Sequence, residues 1–446
     1  MSSVSRPSRQ DREQQQPSIV SPQLQSAPAV GGPYAYYVLA VLFVVYIFNF
    51  IDRQILAILL EPIKQDLKIS DTALGFLTGF AFAVFYTFAG LPLARIADRW
   101  VRRSLIAISL ATWSLMTALS GLARNFTELA LARIGVGIGE AGASPPAHSL
   151  LSDYFPPEKR ATAIAIYSSG IYVGVGIGFW LGGWINDAYG WRMAFFVVGL
   201  PGLLMSLLLR FTVREPLRGM SEHNVTATQA YSLTETWRFF ASLPTGRRLA
   251  FAAGFHAFVA YGLGAWIPAF FVRIHHMTPG ELGSWLSWIT ALGGGGGTFF
   301  GGWLADRWVR RQPRARMYMG VIGVALAIPT ISASLLLENT HWALLMYLPA
   351  SICSTLWIGP AFATAQDLVP PTMRAMASAV FLFITTMIGM GAGPQAVGIV
   401  NDLIGTPDAI RYSLLGAAII MNVISVVFFW LAGQSLVEDL EAKKRL

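Results

Sequence analysis

The sequence predicts an all-α integral membrane protein with twelve transmembrane helices in two pseudo-symmetric six-helix bundles. Three observations predict this fold: the composition, apolar runs of helical length, and an internal repeat. Of the 446 residues, 54% are hydrophobic and only 13% are charged, which is unlike a soluble globular domain. From Tyr34 onward, runs of about twenty mostly uncharged residues alternate with short polar connections, and each run can cross a hydrocarbon core of roughly 30 Å.

The apolar runs are predicted to be helices, because backbone groups in lipid must form their hydrogen bonds within the segment. The predicted spans are 35–60, 72–94, 103–123, 126–150, 161–186, 191–211, 249–272, 281–304, 316–337, 341–366, 374–400 and 410–433.

The parts outside the spans are polar. The first 33 residues are rich in Ser, Pro and Gln and lack an apolar run that could be a signal-peptide core, so we expect an uncleaved, disordered tail. The predicted domains are a cytoplasmic tail (1–33), an N-terminal bundle (34–211), a cytoplasmic linker (212–248), a C-terminal bundle (249–433) and a second cytoplasmic tail (434–446).

The net charge of +8 raises the question of nucleic-acid binding, and the positions of the basic residues answer it. They concentrate in alternate loops, so the positive-inside rule places both termini in the cytoplasm. We expect the chain to lie in the cell membrane, which is the inner membrane if the source is a Gram-negative bacterium. Nucleic-acid binding is not needed to explain the charge. The basic residues are Arg95, Arg99, Arg102, Arg103, Lys159, Arg160, Arg210, Arg214, Arg218, Arg238, Arg247, Arg248, Arg307, Arg310, Arg311, Arg314, Arg316, Lys443, Lys444 and Arg445.

Two loop segments of the first half recur in the second half. The segment 95–103 and the segment 303–311 share Ala-Asp-Arg-Trp-Val-Arg-Arg, at an offset of 208 residues (303 minus 95). The segment 153–161 and the segment 367–375 share Asp, Pro-Pro and Arg-Ala, at an offset of 214 (367 minus 153). Because both repeats follow matching spans, the sequence predicts two similar bundles in the same orientation.

The first repeat resembles the signature G-x-L-A-D-R-x-G-R-K of the major facilitator superfamily. The charged positions match, whereas Ala94 replaces the first glycine and Val101 and Val309 replace the later one. The segment Pro157-Glu-Lys-Arg160 resembles the P-E-x-x-R-like element of the same superfamily. The resemblance implies a transporter with the major facilitator fold, which works by alternating access.

Charges at cytoplasmic helix ends can form a network in one conformation and break it in another. We therefore expect a cytoplasmic gate between the bundles, centred on Asp98; the alternative is that these charges only set the topology. The predicted gate residues are Asp98, Arg99, Arg102, Arg103, Asp153, Glu158, Arg160, Asp306 and Arg307.

Four ionisable residues lie well inside the spans, all in the first half: Asp52 and Arg53 on span one, and Arg133 and Glu140 on span four. Such residues are costly in lipid unless they are paired or face a wet cavity, so they are functional candidates. Asp52 and Arg133 lie at similar depths, roughly 10–12 Å from the outer surface, so we expect that they can touch. The alternative is a set of static ion pairs, although the side chains of Asp52 and Arg53 point about 100° apart.

The pattern N-x-x-D-R on span one with R-x-x-x-G-I-G-E-A on span four resembles the spinster family of this superfamily. That resemblance implies proton-linked movement of lysophospholipids or sphingoid lipids, with Asp52 and Glu140 in proton coupling and with Arg53, Arg133 and Asn49 in substrate binding or charge pairing. Organic-anion symporters share D-R and E-A elements, so a proton-coupled organic-anion symporter is the alternative. A membrane-embedded enzyme or sensor would need a catalytic constellation or a soluble domain, and we identify neither.

The remaining expectations concern the cavity, energy source and partners. We expect His256, Tyr261 and Trp357 to line an otherwise apolar second-half wall. We expect no cofactor and no metal site, with a proton gradient as the energy source. The expected partners are the lipid bilayer, protons and a small amphipathic or anionic substrate, with a functional monomer. Glycines 170, 174, 178 and 182 predict close helix packing on span five.

Overall fold

The computed structural model describes residues 30–221, 233–370 and 373–444. Most of the predicted N-terminal tail, the middle of the linker and the last two residues lie outside these ranges. Within the described residues, each of the twelve predicted spans corresponds to a helix or to a short series of helices. The all-α prediction is therefore confirmed.

We number the helices by span. They are α1 (Pro33–Ile58), α2 (Asp71–Arg99), α3 (Arg102–Ser120), α4 (Phe126–Ala141, continuing as Ser144–Tyr154), α5 (Pro157–Tyr189), α6 (Trp191–Thr212), α7 (Pro244–His275), α8 (Pro279–Ile289, Thr290–Gly295 and Gly296–Val309), α9 (Ala315–Leu336), α10 (Thr340–Thr355, continuing as Ile358–Asp367), α11 (Arg374–Thr385, Thr386–Ala392 and Gly393–Ile404) and α12 (Ala409–Lys444).

Irregularities in these helices follow from the sequence. α4 is interrupted after Ala141, where Gly142 is followed within a few residues by Pro145 and Pro146. α2, α8 and α11 each contain a π-helical turn, and the turns in α8 and α11 are rich in glycine. Nine of the helical stretches in the described ranges are long and apolar enough to cross a membrane.

Small residues allow close packing inside the first half. A Cβ atom at Gly174 of α5 would lie 2.6 Å from the carbonyl oxygen of Ile47 on α1, and one at Gly178 would lie 3.2 Å from the Cα of Ile51. α1 and α5 therefore pack backbone to backbone, as the glycine stripe predicts. In the second half, the equivalent contact joins α7 to α11, and extensive packing also joins α7 to α12 and α9 to both α10 and α12.

The two halves meet mainly at one face of the molecule. We call the face where α1 begins and α12 ends the terminal face, and the opposite face the distal face. α5 packs on the distal segment of α8, and α2 packs on the segment of α11 that follows its π turn. The contacts are tight, since a Cβ at Gly183 would lie 2.1 Å from the carbonyl oxygen of Pro279 and one at Gly75 would lie 2.6 Å from that of Pro394.

The halves separate toward the terminal face. In the described ranges, the last helical segments of α8 and α10 (Gly296–Val309 and Ile358–Asp367) and the first segment of α11 (Arg374–Thr385) have no extensive packing against the first half. The space between the halves is therefore open at the terminal face and closed at the distal face.

Candidate functional site

A cluster of four buried charges lies between α1 and α4, where the sequence predicts functional residues. Asp52, Arg133 and Glu140 are 1–2% exposed, whereas the side chain of Arg53 is 18% exposed. We call Asp52, Arg53, Arg133 and Glu140 the charge cluster. Its formal charge is zero when all four groups are ionised, which is how it can exist at this depth.

The pairing within the charge cluster is specific. Arg53 Nε donates to Glu140 Oε2 over 2.5 Å. Arg133 Nη1 donates to the main-chain carbonyl of Asp52 over 3.2 Å, so Arg133 does touch Asp52, but not through its carboxylate. Of the two adjacent residues on α1, Arg53 is the one with an exposed side chain, and Asp52 points into the protein.

Several polar atoms around the cluster make no hydrogen bond of good geometry within the described residues, although Thr117 lies near Asp52 and Asn49 lies near Glu140. Both side-chain polar atoms of Asn49 are among them. Thr117 of α3 and three residues of the charge cluster contribute one atom each. Buried groups of this kind usually bind a water, an ion or a proton. The unpaired atoms are Asn49 Nδ2 and Oδ1, Asp52 Oδ1, Thr117 Oγ1, Arg133 Nε and Glu140 Oε1.

Glycines of α4 explain how the cluster is buried. Between Arg133 and Glu140 the chain has glycine at every second position. A Cβ at Gly139 would lie 2.7 Å from the backbone nitrogen of Trp113 on α3, and one at Gly137 would lie 3.0 Å from the carbonyl oxygen of Phe82 on α2. The helices can thus close around the charged side chains and exclude lipid from them.

Aromatic rings surround the exposed side of Arg53. The centroids of Phe50, Phe82 and Tyr86 lie 5.0, 4.8 and 4.9 Å from Arg53 Cζ. Such contacts stabilise a cation electrostatically and leave part of the guanidinium free for a ligand. The sequence analysis did not identify these rings, because aromatic residues are common in membrane helices and their convergence depends on the fold.

The second-half wall opposite the cluster is largely apolar. Tyr261 of α7 is 40% exposed and is close enough to Arg53 and Tyr46 to interact with them electrostatically. Met387 and Met390 of α11 pack against the first-half hydrophobic cluster that contains Phe82. A small cationic region therefore faces flexible apolar side chains.

The expectation that His256 and Trp357 line the cavity is wrong. His256 is fully buried, and its ring nitrogens are 2.8 Å from Asn422 Oδ1 and 2.9 Å from the carbonyl oxygen of Ser354. Trp357 packs against His256 and Phe429. Both side chains belong to the core of the second half, where a polar ring is accommodated because its hydrogen bonds are satisfied.

Within the described residues, the ion pairs of the predicted gate residues each lie within one half of the molecule in this conformation, the first half being taken with its linker. Arg102 is 1% exposed and binds Asp153 at 2.5 Å and Glu215 at 2.8 Å, all within the first half and its linker. In the second half, Arg316 binds Asp367 and lies 4.0 Å from Asp306. Exposed positions in the described structure include Asp98, Arg99, Glu158 and Arg307.

A charged network closes the distal face, and the sequence analysis missed it. Asp71, at the start of α2, accepts from Arg273 of α7 over 2.6 and 2.9 Å, from Lys64 over 2.6 Å and from Asn401 of α11 over 3.0 Å. Arg273 also donates to Glu61 over 2.5 Å. We call Glu61, Lys64, Asp71, Arg273 and Asn401 the distal latch, because it joins the two halves.

Two further bonds extend the distal latch. Asp402 of α11 accepts from the backbone nitrogens of Asp71 and Thr72 over 3.1 and 2.7 Å, at the first turn of α2. The signal that could have found the latch is weak: Asp71 and Arg273 each lie one residue outside a predicted span, in loops that otherwise carry few charges.

Comparisons with known proteins agree with this architecture. The model of the Major Facilitator Superfamily matches residues 42–394. The chain belongs to this superfamily. It is 30% identical to an MFS-type efflux pump of Mycolicibacterium smegmatis, over 92% of this chain and 95% of the relative. It is also 28% identical to Protein spinster of Drosophila melanogaster, over 87% of this chain and 65% of the relative.

Solved structures extend the agreement to the arrangement of helices. A crystal structure of a bacterial homolog of the human lysosomal transporter spinster, inward-facing and unoccupied, superposes with a TM-score of 0.84 at 31% identity, covering 92% of this chain and 99% of that chain. This superfamily member is therefore a multi-pass membrane transporter that most resembles the spinster proteins.

Proposed function

We propose that this superfamily member is a secondary active transporter that couples proton movement to the movement of an amphipathic lipid, such as a lysophospholipid or a sphingoid lipid, by alternating access. The observation that carries the proposal is the Arg53–Glu140 pair. The pair combines a cation whose side chain is 18% exposed with a fully buried carboxylate 2.5 Å away, beside the space between the halves that is open to the terminal face.

The proton-coupling step follows from the pairing. When Glu140 takes a proton, it loses its charge and its strong attraction to Arg53, so the guanidinium becomes available to an anionic headgroup. Conversely, a headgroup phosphate bound to Arg53 displaces Glu140, and a displaced buried carboxylate is stabilised by a proton. Asp52, with Oδ1 unpaired and next to Thr117, is the second candidate proton acceptor.

The surroundings of the cluster favour an amphipathic substrate. Arg53 can hold the charged head, Tyr46 and Tyr86 can donate hydrogen bonds, and the apolar wall with Met387 and Met390 can accommodate a chain. Arg133, whose Nε is unpaired, and Asn49 can donate hydrogen bonds to the substrate headgroup or to the carboxylates of Asp52 and Glu140. The named likeness to spinster proteins supports the same substrate class.

A proton-coupled organic-anion symporter is the second candidate, and two observations favour it. Two arginines, the partly exposed Arg53 and the buried Arg133, lie close together beside the cavity, which would suit a compact anion as well as a headgroup. The chain is also 27% identical over 295 residues to a cis,cis-muconate transport protein of Acinetobacter baylyi.

We further propose that the terminal face is cytoplasmic in a cell membrane, because it carries most of the loop arginines. The cytoplasmic-side charges then form the gate when the opposite conformation closes this face, with Asp98 brought to the second half. The protein acts as a monomer without a cofactor, and the proton gradient supplies the energy.

The experiment is transport in proteoliposomes, with a fluorescent lysophospholipid and an aromatic carboxylic acid as substrates, with and without a pH gradient. We expect gradient-dependent lysophospholipid movement that falls at least tenfold in Arg53→Gln, since one charged hydrogen bond contributes about 1.5–3 kcal/mol. Arg192→Gln, which changes a half-exposed arginine on the distal face, is the matched control and should transport normally. Movement of the acid alone would establish the second candidate instead.

A further inference from the structure

The terminal end of α8 forms a basic groove, which includes Asp306 and Arg307 of the predicted gate and two further arginines. It encloses about 910 Å³, and we call it the α8 groove. Arg307, Arg310 and Arg311 supply three positive charges, and Asp306 supplies one negative charge. The lining residues are Trp303, Leu304, Asp306, Arg307, Trp308, Arg310 and Arg311.

In the first copy of the same sequence repeat, two of the three equivalent arginines are paired within the described residues, whereas Arg99, which matches Arg307, is exposed. Arg102, which matches Arg310, is buried against Asp153 and Glu215. Arg103, which matches Arg311, donates to the carbonyl oxygen of Val213 over 2.8 Å, and its backbone nitrogen donates to Glu215 over 2.9 Å. In the first half, therefore, Arg102 and Arg103 connect the start of α3 to α4 and to the chain that follows α6.

In the second half the same arginines remain exposed. Arg310 and Arg311 have no acidic partner within the described ranges, and the acid that matches Asp153, Asp367, is bound by Arg316. The chain path gives the reason. After α6 the chain leaves the helix at Val213 and returns across α3, whereas α12 continues as a helix to Lys444 and brings no acid back to α8.

The groove lies at the depth of lipid headgroups. Phe299 and Phe300 on the same helix are 76% and 48% exposed, and Trp303 is 49% exposed. Exposed aromatic residues followed within two turns by arginines are typical of the membrane interface. The guanidinium of Arg307 lies 5.6 Å from the ring centroid of Trp303, so the ring orients one of the cations.

We propose that the α8 groove binds the headgroup phosphate of an anionic phospholipid from the leaflet at the terminal face. Arg310 and Arg311 contact the phosphate, because guanidinium groups match phosphate oxygens in pairs. The acyl chain lies along Phe299 and Phe300. Asp306 weakens a net negative ligand only slightly, because its carboxylate is 76% exposed and lies toward Arg316. A zwitterionic lipid gains less binding free energy, because the arginines repel the ammonium group of its headgroup.

The test is lipid binding to the full-length protein in detergent, measured by native mass spectrometry during titration with phosphatidylglycerol or phosphatidylcholine. We expect wild-type protein to prefer phosphatidylglycerol, and Arg310→Gln/Arg311→Gln to bind it about 25-fold more weakly, roughly fivefold for each cation. Phosphatidylcholine binding should not change. Arg310→Lys/Arg311→Lys should retain most of the preference, because both charges remain.

The matched control is Arg210→Gln/Arg247→Gln, which removes two exposed arginines from the same face. It should keep the wild-type affinity within about twofold, as expected for screened charges outside the groove. Equal losses in both double variants, or no loss in Arg310→Gln/Arg311→Gln, would overturn the proposal. Competition by millimolar inorganic phosphate as effective as that by phosphatidylglycerol would also overturn it, because it would identify a free-anion site. If the double variant does not fold, Arg311→Gln alone provides the comparison.

Discussion

Breaking the distal latch should open the distal face. Asp71 is 3% exposed in its side chain and accepts hydrogen bonds from Arg273, Lys64 and Asn401. Asp71→Asn keeps the size of the side chain but removes its charge and most of these bonds. Arg273 keeps Glu61 as a partner.

The size of the effect can be worked from this geometry. Removing one partner of a fully buried ion pair costs about 3–5 kcal/mol, and an exposed pair contributes about 0–1 kcal/mol. Arg273 and Lys64 are 15% and 33% exposed, so the latch lies between these limits, at about 2 kcal/mol. When the distal face opens, the polar groups of all five latch residues regain water. The equilibrium between closed and open distal faces should therefore shift about 30-fold toward the open form.

Cysteine labelling kinetics can measure that shift. A Cβ added at Gly176 of α5 would lie 3.2 Å from Ser287 Oγ of α8, so Ser287 lies at the interface between the halves. A Ser287→Cys thiol in a Cys353→Ser background should therefore react faster with a membrane-impermeant reagent added at the distal face when that face opens. The rate then follows the population of the open form, and Asp71→Asn should raise it about 30-fold. Asp66→Asn is the control, because it breaks a half-exposed ion pair within the first half. Equal rates in both variants would refute the latch.

Three further substitutions test the packing. Gly183→Val places a Cβ 2.1 Å from a carbonyl oxygen of α8 and should accelerate the same labelling at least fivefold by overpacking, whereas Gly90→Val, with open space around it, should not. Arg102→Ala leaves the carboxylates of Asp153 and Glu215 without their buried partner and should lower the melting temperature by several degrees. An unchanged melting temperature would show that these ion pairs do not stabilise the fold. His256→Leu removes two buried hydrogen bonds and should reduce thermal stability without weakening substrate binding. The control is His341→Leu at an exposed position, whose thermal stability should match wild type. Weaker substrate binding in His256→Leu would show that His256 does act in the cavity.

The helices and the repeat were predictable because lipid imposes strong constraints on sequence. A span must be apolar, helical and long enough to cross the bilayer, so the sequence places most helix ends to within about five residues. The exception is α12, which continues to Lys444, well beyond the predicted end at residue 433. The charged residues of α1 and α4 were also visible, because a charge in an apolar run stands out. Nothing in the sequence distinguishes the rings of Phe50, Phe82 and Tyr86 from those of lipid-facing residues, so the surroundings of Arg53 required the fold.

The errors have a common physical origin. His256 was expected in the cavity because it is a polar residue on an apolar helix, and that pattern does not reveal a partner such as Asn422 on a helix 166 residues away. The distal latch was missed because charges at helix ends are usually exposed and cost little there. Only the contact between the two halves turns Asp71 into a buried group.

The measurement that tests the account most directly is proton-gradient-driven transport of a lysophospholipid by Glu140→Gln in proteoliposomes. This variant keeps a hydrogen bond to Arg53 but cannot exchange a proton. The account predicts that movement down a substrate gradient persists, whereas stimulation by the pH gradient disappears. The control Glu128→Gln changes an exposed glutamate on the same helix and should behave as wild type. Full stimulation by the pH gradient in Glu140→Gln would contradict the central claim and leave Asp52 as the remaining candidate.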